Sequence, residues 1–441
     1  MNEQVRERLR LPAMALMMLG ALALALVVGY AIPQQPLLVV GGVVVLLVLT
    51  VAVAQPMLLP LLAMPAIVVV ERFGAGAVEM TISDWMLGLA FWPAVLFAPR
   101  PFSEPLRRML WLNAIFQAAT MFTVIANPFS LNTVEWIHAW LLVTGALVVG
   151  WAVGATGHAR LGLTFFLVAC LALALPTIAQ GLEQYARGDL SEVYPRWPWP
   201  MHKNFIGTLL GFAAALAYAH PSWMGWTRRP ALVAFWVFVA AILVSQSRQA
   251  LVALAVALLI ISFRGQGERR RSVLALLGIL PVIALVATIA RDQMAEGNVH
   301  NSWFQRLDWY AESYAVFLER PWLGWGLRFW RSEGAPIQYE PPHVALEVLT
   351  TAGVVGLAGF GVMIVGMLVV LWRTDPVFGT AAFALLLSRL IQGQFDLFWV
   401  SISVSVPFLV AGVSLGAAAF SVGAAQSSSQ RPNERRLAGV R

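Results

Sequence analysis

Uninterrupted apolar runs recur from one end of this chain to the other, and they decide what it can fold into. LPAMALMMLGALALALVVGYAI starts at Leu11, WLNAIFQAATMFTVIA at Trp111, LGLTFFLVACLALALPTIA at Leu161 and GVVGLAGFGVMIVGMLVVLW at Gly353. About 20 such residues in a helix cross the hydrocarbon of a bilayer. Inside that layer every backbone N–H and C=O needs a partner from the chain itself, which restricts spanning segments to helices and closed barrels. The runs are continuous rather than alternating, so they predict helices. Candidate spans lie near 12–32, 36–54, 56–70, 82–98, 107–126, 134–154, 161–180, 204–220, 230–246, 249–263, 272–290, 354–372, 377–392 and 401–420. Several are short and some read as half-spans, so the expectation is an all-α polytopic membrane protein with about 12–14 helices. Charged residues make up 12% of the chain, against about 25% in a soluble domain. The first apolar run is longer than a signal-peptide core and lacks a clear cleavage site, so it reads as an uncleaved span.

The location of the basic residues sets the orientation. The 29 basic residues are all arginine except Lys203. With a cytoplasmic N-terminus, alternate connections carry Arg6, Arg8 and Arg10, then Arg100, Arg107 and Arg108, then Arg228 and Arg229, then Arg264 and Arg269 to Arg271. That is the bias expected of cytoplasmic loops, and it puts both termini in the cytoplasm. The basic balance therefore reflects topology and does not point to nucleic acid. Two long connections fall on the outer side, 181–203 and 291–353. The domain plan is an N-terminal bundle over 1–290, an outer loop over 291–353, C-terminal spans over 354–420 and a disordered tail over 421–441. Cys170 sits alone in an apolar run, which excludes an intrachain disulfide and a thiolate metal cluster.

No P-loop, G-x-G-x-x-G, H-E-x-x-H or D-x-D occurs. No cofactor is expected, and any energy for chemistry must arrive on the substrate. The outer loops hold the polar candidates. SWFQRLDWYAESYAVFLERP spaces its aromatic residues as an amphipathic helix does and ends at a proline, and a GWG turn succeeds it. Further on, PPHVALEVLTTAG sets His343 behind two prolines at the start of an apolar helix. Neutral imidazole is a general base near pH 7, although a lone histidine is as readily structural. Arginine grips phosphate with a planar fork, yet many loop arginines are simply solvated or ion-paired. RWPWP, with Trp197 and Trp199, is a rigid platform on which a sugar could stack. A membrane-interface belt accounts for tryptophans equally well.

Taken in order, these segments resemble the O-antigen ligase and O-antigen polymerase superfamily. Arg306 heads a segment ending in PWLGWG (321–326), followed by His343 and the pattern Leu346, Leu349, Gly353, Gly356. Upstream, SQSRQALVALAVALL (245–259) and RWPWPMHKNFIGTLLGF (196–212) are similar to two further family segments. The resemblance covers roughly 190–372 and implies a GT-C-like membrane glycosyltransferase. Such an enzyme takes a glycan from an undecaprenyl pyrophosphate donor on the periplasmic face of the bacterial inner membrane. It passes the glycan to a hydroxyl of the lipid A core, of a growing glycan or of a protein, with no metal needed. Carried onto this chain, the resemblance makes His343 the base for the acceptor hydroxyl and gives the pyrophosphate to Arg196 and Arg306. Arg248 is a third phosphate ligand or a structural pin, and Lys203, Trp197 and Trp199 complete the substrate-binding set. A ligase is favoured over a polymerase or a protein O-oligosaccharyltransferase.

A lipid-linked-glycan flippase is the competing class. It would carry ionisable residues near the bilayer midplane. The candidates here are Asp84, Glu135, His138, Arg389 and Asp396, most near span ends.

Overall fold

A computed structural model describes residues 50, 54–73, 80–264, 302–332, 335 and 340–438. The chain divides into two compact units, Met1–Leu58 and Leu59–Arg441. The second unit carries the helical bundle. The predicted spans at 12–32 and 272–290, and nearly all of the one at 36–54, lie outside the described residues.

The described elements are α1 (Leu58–Ala66), a two-residue ribbon pairing β1 (Arg72–Phe73) with β2 (Met80–Thr81), and then helices. In order these are α2 (Ile82–Phe97), α3 (Glu104–Ala126), α4 (Ser130–Ala155, with a π-turn over Leu141–Gly145), α5 (Ala159–Ala186) and α6 (Lys203–Ala219). They continue with α7 (Arg228–Ser245), α8 (Arg248–Arg264), α9 (Ser302–Glu319), α10 (Val344–Arg373), α11 (Pro376–Gln392) and α12 (Ser401–Ala438). Six of them are long and apolar enough to cross a membrane, among the described residues: α3, α4, α5, α7, α10 and the Ser401–Ala425 part of α12. The protein is an all-α multi-pass membrane protein.

Glycines set the tightest contact in the bundle. Apolar burial drives little helix association in lipid, so close approach of small residues matters more. Gly150 and Gly154 on α4 face Gly412 and Gly416 on α12. A Cβ at Gly150 would lie 2.1 Å from the Leu409 carbonyl oxygen, and one at Gly412 2.2 Å from that of Leu147. Exposed Trp85, Trp92 and Trp111 on α2 and α3 are the lipid-facing counterpart.

Two boundaries differ from the sequence reading. The span predicted at 354–372 is the C-terminal part of α10, which begins at Val344 behind the Pro-Pro-His sequence. The tail predicted to be disordered continues α12 to Ala438. There the helix extends from a tightly packed stem, so no new nucleus is needed, and it continues through weak helix formers, Ser427 to Ser429 and Pro432.

Candidate active site

α10 is broken at Gly353, whose φ of 67° and ψ of −168° suit glycine alone. The break frees the carbonyls of Thr350 and Thr351, which an unbroken helix would bond to the amides of Val354 and Val355. The PWLGWG segment takes up all four groups. Trp325 N–H donates to Thr350 O and Gly326 N–H to Thr351 O, both at 3.0 Å. Val354 N–H donates to Pro321 O at 2.8 Å and Val355 N–H to Trp322 O at 3.3 Å. This clamp is why the segment needs its glycines. Gly324 and Gly326 have φ of 65° and 113°, and a Cβ at Gly324 would lie 2.4 Å from the Thr351 carbonyl carbon.

Side chains of α3 and α4 anchor the clamp from the other side. Asn127 Oδ1 accepts from the Arg320 guanidinium at 3.0 Å, and that guanidinium lies 3.9 Å over the Trp325 ring. Asn132 Oδ1 accepts from Arg328 N–H at 3.0 Å. Trp330, almost fully buried, donates to Thr350 Oγ1 at 2.9 Å. Arg320 is therefore part of the frame rather than a loose surface charge. Arg328 pairs with Glu135 at 2.6 Å, Glu135 approaches His138 at 3.4 Å, and His138 lies 3.2 Å from buried Asp84. Asp84 also caps α2 through Thr81 and accepts from Ser401 at 2.9 Å. So three residues weighed for a transport path are instead linked to the outer loop, and Asp396 accepts from Gln249 at 2.7 Å. Arg389 is buried against the carbonyls of Leu397 and Phe398.

His343 is the N-cap residue of α10, with extended backbone at φ −158°. The prolines before it fix the approach, and Val344 N–H donates to Gly393 O at 2.7 Å, tying this helix start to the end of α11. The imidazole is half-buried, and its Nδ1 is buried without a partner. Its ring meets the Tyr310 ring edge-on at 5.4 Å. Burial holds its pKa below the ordinary 6.5. Tyr310 stands on α9, one helical turn after Arg306. Its own pKa is raised by burial, an effect that the Arg306 charge partly opposes. Arg306 is half-buried and has no hydrogen-bond or ion-pair partner among the described residues. The structure thus brings His343 against Tyr310, a residue that the sequence reading missed, with Arg306 one turn from Tyr310 on the same helix.

The remaining candidates stand elsewhere. Arg196 lies on the exposed 187–202 loop, where its backbone N–H donates to Gln180 Oε1 at 3.1 Å. No hydrogen bond or ion pair joins its side chain to His343 or Arg306. Trp197 is exposed and Trp199 half-buried, its Nε1 without a partner. Lys203 is committed to Glu192 at 2.8 Å. Arg248 is exposed at the start of α8. Among the described residues no group of histidine, cysteine and carboxylate side chains is arranged to hold a metal ion.

Two hollows lie beside the clamp. The larger, about 260 Å³, is bounded by Arg72, Met201, His202, Arg328, Arg331 and Trp399, among others. The smaller, about 40 Å³, shares Glu135, Arg331 and Trp399 with it and reaches Glu340 and Glu347, which flank His343 in sequence. Neither is lined by His343, Arg306 or Arg196 themselves.

A family model described as O-antigen ligase matches residues 232–361. That stretch, 130 of the chain's 441 residues, is similar to the O-antigen ligase family. The matched stretch runs from α7 through the clamp to the Gly353 kink, so Arg248, Arg306 and His343 fall within the O-antigen ligase region. Arg196, Trp197, Trp199 and Lys203 precede it. The superfamily comprises membrane glycosyltransferases of the O-antigen ligase and polymerase type, whose substrates are lipid-linked glycans and their acceptors. Among curated proteins, none matches the chain significantly.

Proposed function

We propose that the protein transfers a glycan from undecaprenyl pyrophosphate to an acceptor hydroxyl at the periplasmic face of the bacterial inner membrane, as an O-antigen ligase does. The acceptor is the lipid A core oligosaccharide. The observation that carries this reading is the contact of His343, at the head of a membrane helix, with Tyr310, which stands one turn from Arg306 on α9. With Nδ1 buried, Nε2 is the nitrogen left for substrate. It takes the proton of the acceptor hydroxyl as the oxygen bonds to the anomeric carbon. The bond from that carbon to the phosphate oxygen breaks, and undecaprenyl pyrophosphate leaves with the electron pair. Among the described residues no carboxylate pairs with Arg306, and its fork stabilises the charge developing on the phosphate. Arg196 approaches the same group from the other outer loop, and Arg248 serves as a further phosphate ligand at the start of α8. Lys203, Trp197 and Trp199 line the approach of the glycan.

The test is transfer by purified protein in detergent, with lipid-linked glycan, lipid A core and a chelator present. A product of one glycan on one core supports the ligase reading. Chains of glycan lengthening on the lipid carrier, with the core unmodified, would indicate a polymerase. Absence of any transfer, under conditions where a verified ligase works, would refute the reading.

A further inference from the structure

We infer that the hollow of about 260 Å³ is a subsite for one neutral sugar unit of the substrate, with the imidazole N–H of His202 as its fixed hydrogen-bond donor. The inference rests on the transferase reading for what that sugar belongs to.

His202 is held in one tautomer. As the N-cap of α6, its Nδ1 accepts the backbone N–H of Asn204 at 3.2 Å. A nitrogen that accepts carries no proton, so the neutral ring bears its hydrogen on Nε2. The rings of Tyr194 and Phe205, at 5.5 and 5.6 Å, fix the orientation of the imidazole. Burial lowers the pKa of His202, more than the nearby Asp396 charge raises it, which keeps the ring neutral. The donor thus stays a donor on a lining wall of the hollow.

The arginines of that wall argue for hydroxyls rather than for an anion. A phosphate site presents open guanidinium forks. Here Arg328 is engaged by Glu135 at 2.6 Å, Arg331 is gripped by Glu340 at 2.7 and 3.4 Å, and Arg72, the third arginine of the wall, also has a partner. Such pairs offer donors and acceptors side by side, and a sugar hydroxyl is both. Trp399, Pro200 and Met201 add apolar wall for the sugar ring. The volume exceeds that of a few waters, at about 30 Å³ each, and falls below the roughly 300 Å³ at which drug-sized pockets begin. Through Glu135, Arg331 and Trp399 the hollow borders the smaller one, beside Glu340 and Glu347. The smaller hollow, lined by Glu347, Val348 and Thr351, lies between a sugar seated here and α10.

The test uses the purified full chain in a sugar-free detergent. Saturation-transfer NMR is recorded with methyl α-D-glucopyranoside, and ³¹P line broadening with inorganic pyrophosphate. Two variants are compared with wild type. Val134→Trp fills the hollow from α4, where Val134 lines it, and His202→Ala removes the donor. Wild type should give a glucoside signal that drops at least fivefold in Val134→Trp and at least threefold in His202→Ala. The thermal midpoint of the alanine variant should fall by no more than the few degrees that loss of one helix cap brings. Pyrophosphate broadening should be the same in all three proteins. No glucoside signal from wild type, or an unchanged signal in both variants, would overturn the subsite. Pyrophosphate broadening lost only in Val134→Trp would reassign the hollow to an anion. Sugar binding is read without catalysis, so wild-type transfer measured alongside separates failure of the subsite from failure of the transferase reading.

Discussion

Replacing Gly353 by alanine tests whether the clamp on α10 is what holds the site together. Gly353 has φ 67° and ψ −168°, a conformation that costs a residue with a Cβ about 1–3 kcal/mol. The new methyl would also sit 2.2 Å from the Trp322 carbonyl oxygen and 2.3 Å from its carbon. Those atoms are backbone, so the contact is relieved only by pulling the 321–326 segment away from the helix. The four crossed hydrogen bonds then weaken together, each contributing about 1 kcal/mol. Strain plus the loss of half or more of those bonds comes to about 3–7 kcal/mol, a large share of a typical stability of about 5–15 kcal/mol. Gly361 on the same helix is the control. Nothing stands within 4 Å of a Cβ there, and alanine in a helix interior is favoured over glycine by about 1 kcal/mol. Thermal unfolding in detergent and glycan transfer should both fall sharply in Gly353→Ala and stay level or improve in Gly361→Ala. Equal stability and activity in the two variants would refute the clamp as described.

Three further outcomes are expected. Arg306→Lys keeps the charge but loses the planar fork, so transfer rates should drop nearly as far as in Arg306→Ala. Full activity in the lysine variant would show that charge alone suffices. The pH dependence of kcat/KM should have an acid limb reporting His343. Burial disfavours the imidazolium, so the neutral base persists below pH 6.5, and the rate should rise with pH along a limb centred below that value. A limb centred above pH 7 would contradict the assignment. Finally, exposed Ser332, replaced by cysteine in a Cys170→Ala background, should react with an impermeant thiol reagent in spheroplasts. Labelling only after lysis would reverse the topology.

The sequence displays what is local. The aromatic spacing of 302–319, the proline that ends that helix and the Pro-Pro-His start of α10 are all nearest-neighbour signals, and each element is where they put it. The Gly353 kink was hidden because an apolar run looks the same on both sides of a break. What makes the break tolerable is a partner segment that ends 27 residues earlier, at Gly326. The frame of Asn127, Asn132 and Glu135 was equally illegible, since its partners Arg320 and Arg328 lie 193 to 196 residues away in sequence. Lys203 was read as part of the substrate-binding set, and it pairs with Glu192; His202 beside it was passed over. The one available signal was a histidine immediately before the apolar run of α6, where a cap is needed. Tyr310 could have been found from its position one turn after Arg306, had the face of α9 toward His343 been known.

The central claim is that His343 is the base of a transfer reaction, and single-turnover kinetics of His343→Ala test it most directly. With donor bound and acceptor in excess, the chemical step should slow by roughly 10² to 10⁴, the range of general acid–base catalysis. Donor affinity should change little, because Arg306 and Arg196 remain. A His343→Ala protein that transfers glycan at a near-normal rate would contradict the account and reduce this histidine to the cap of α10.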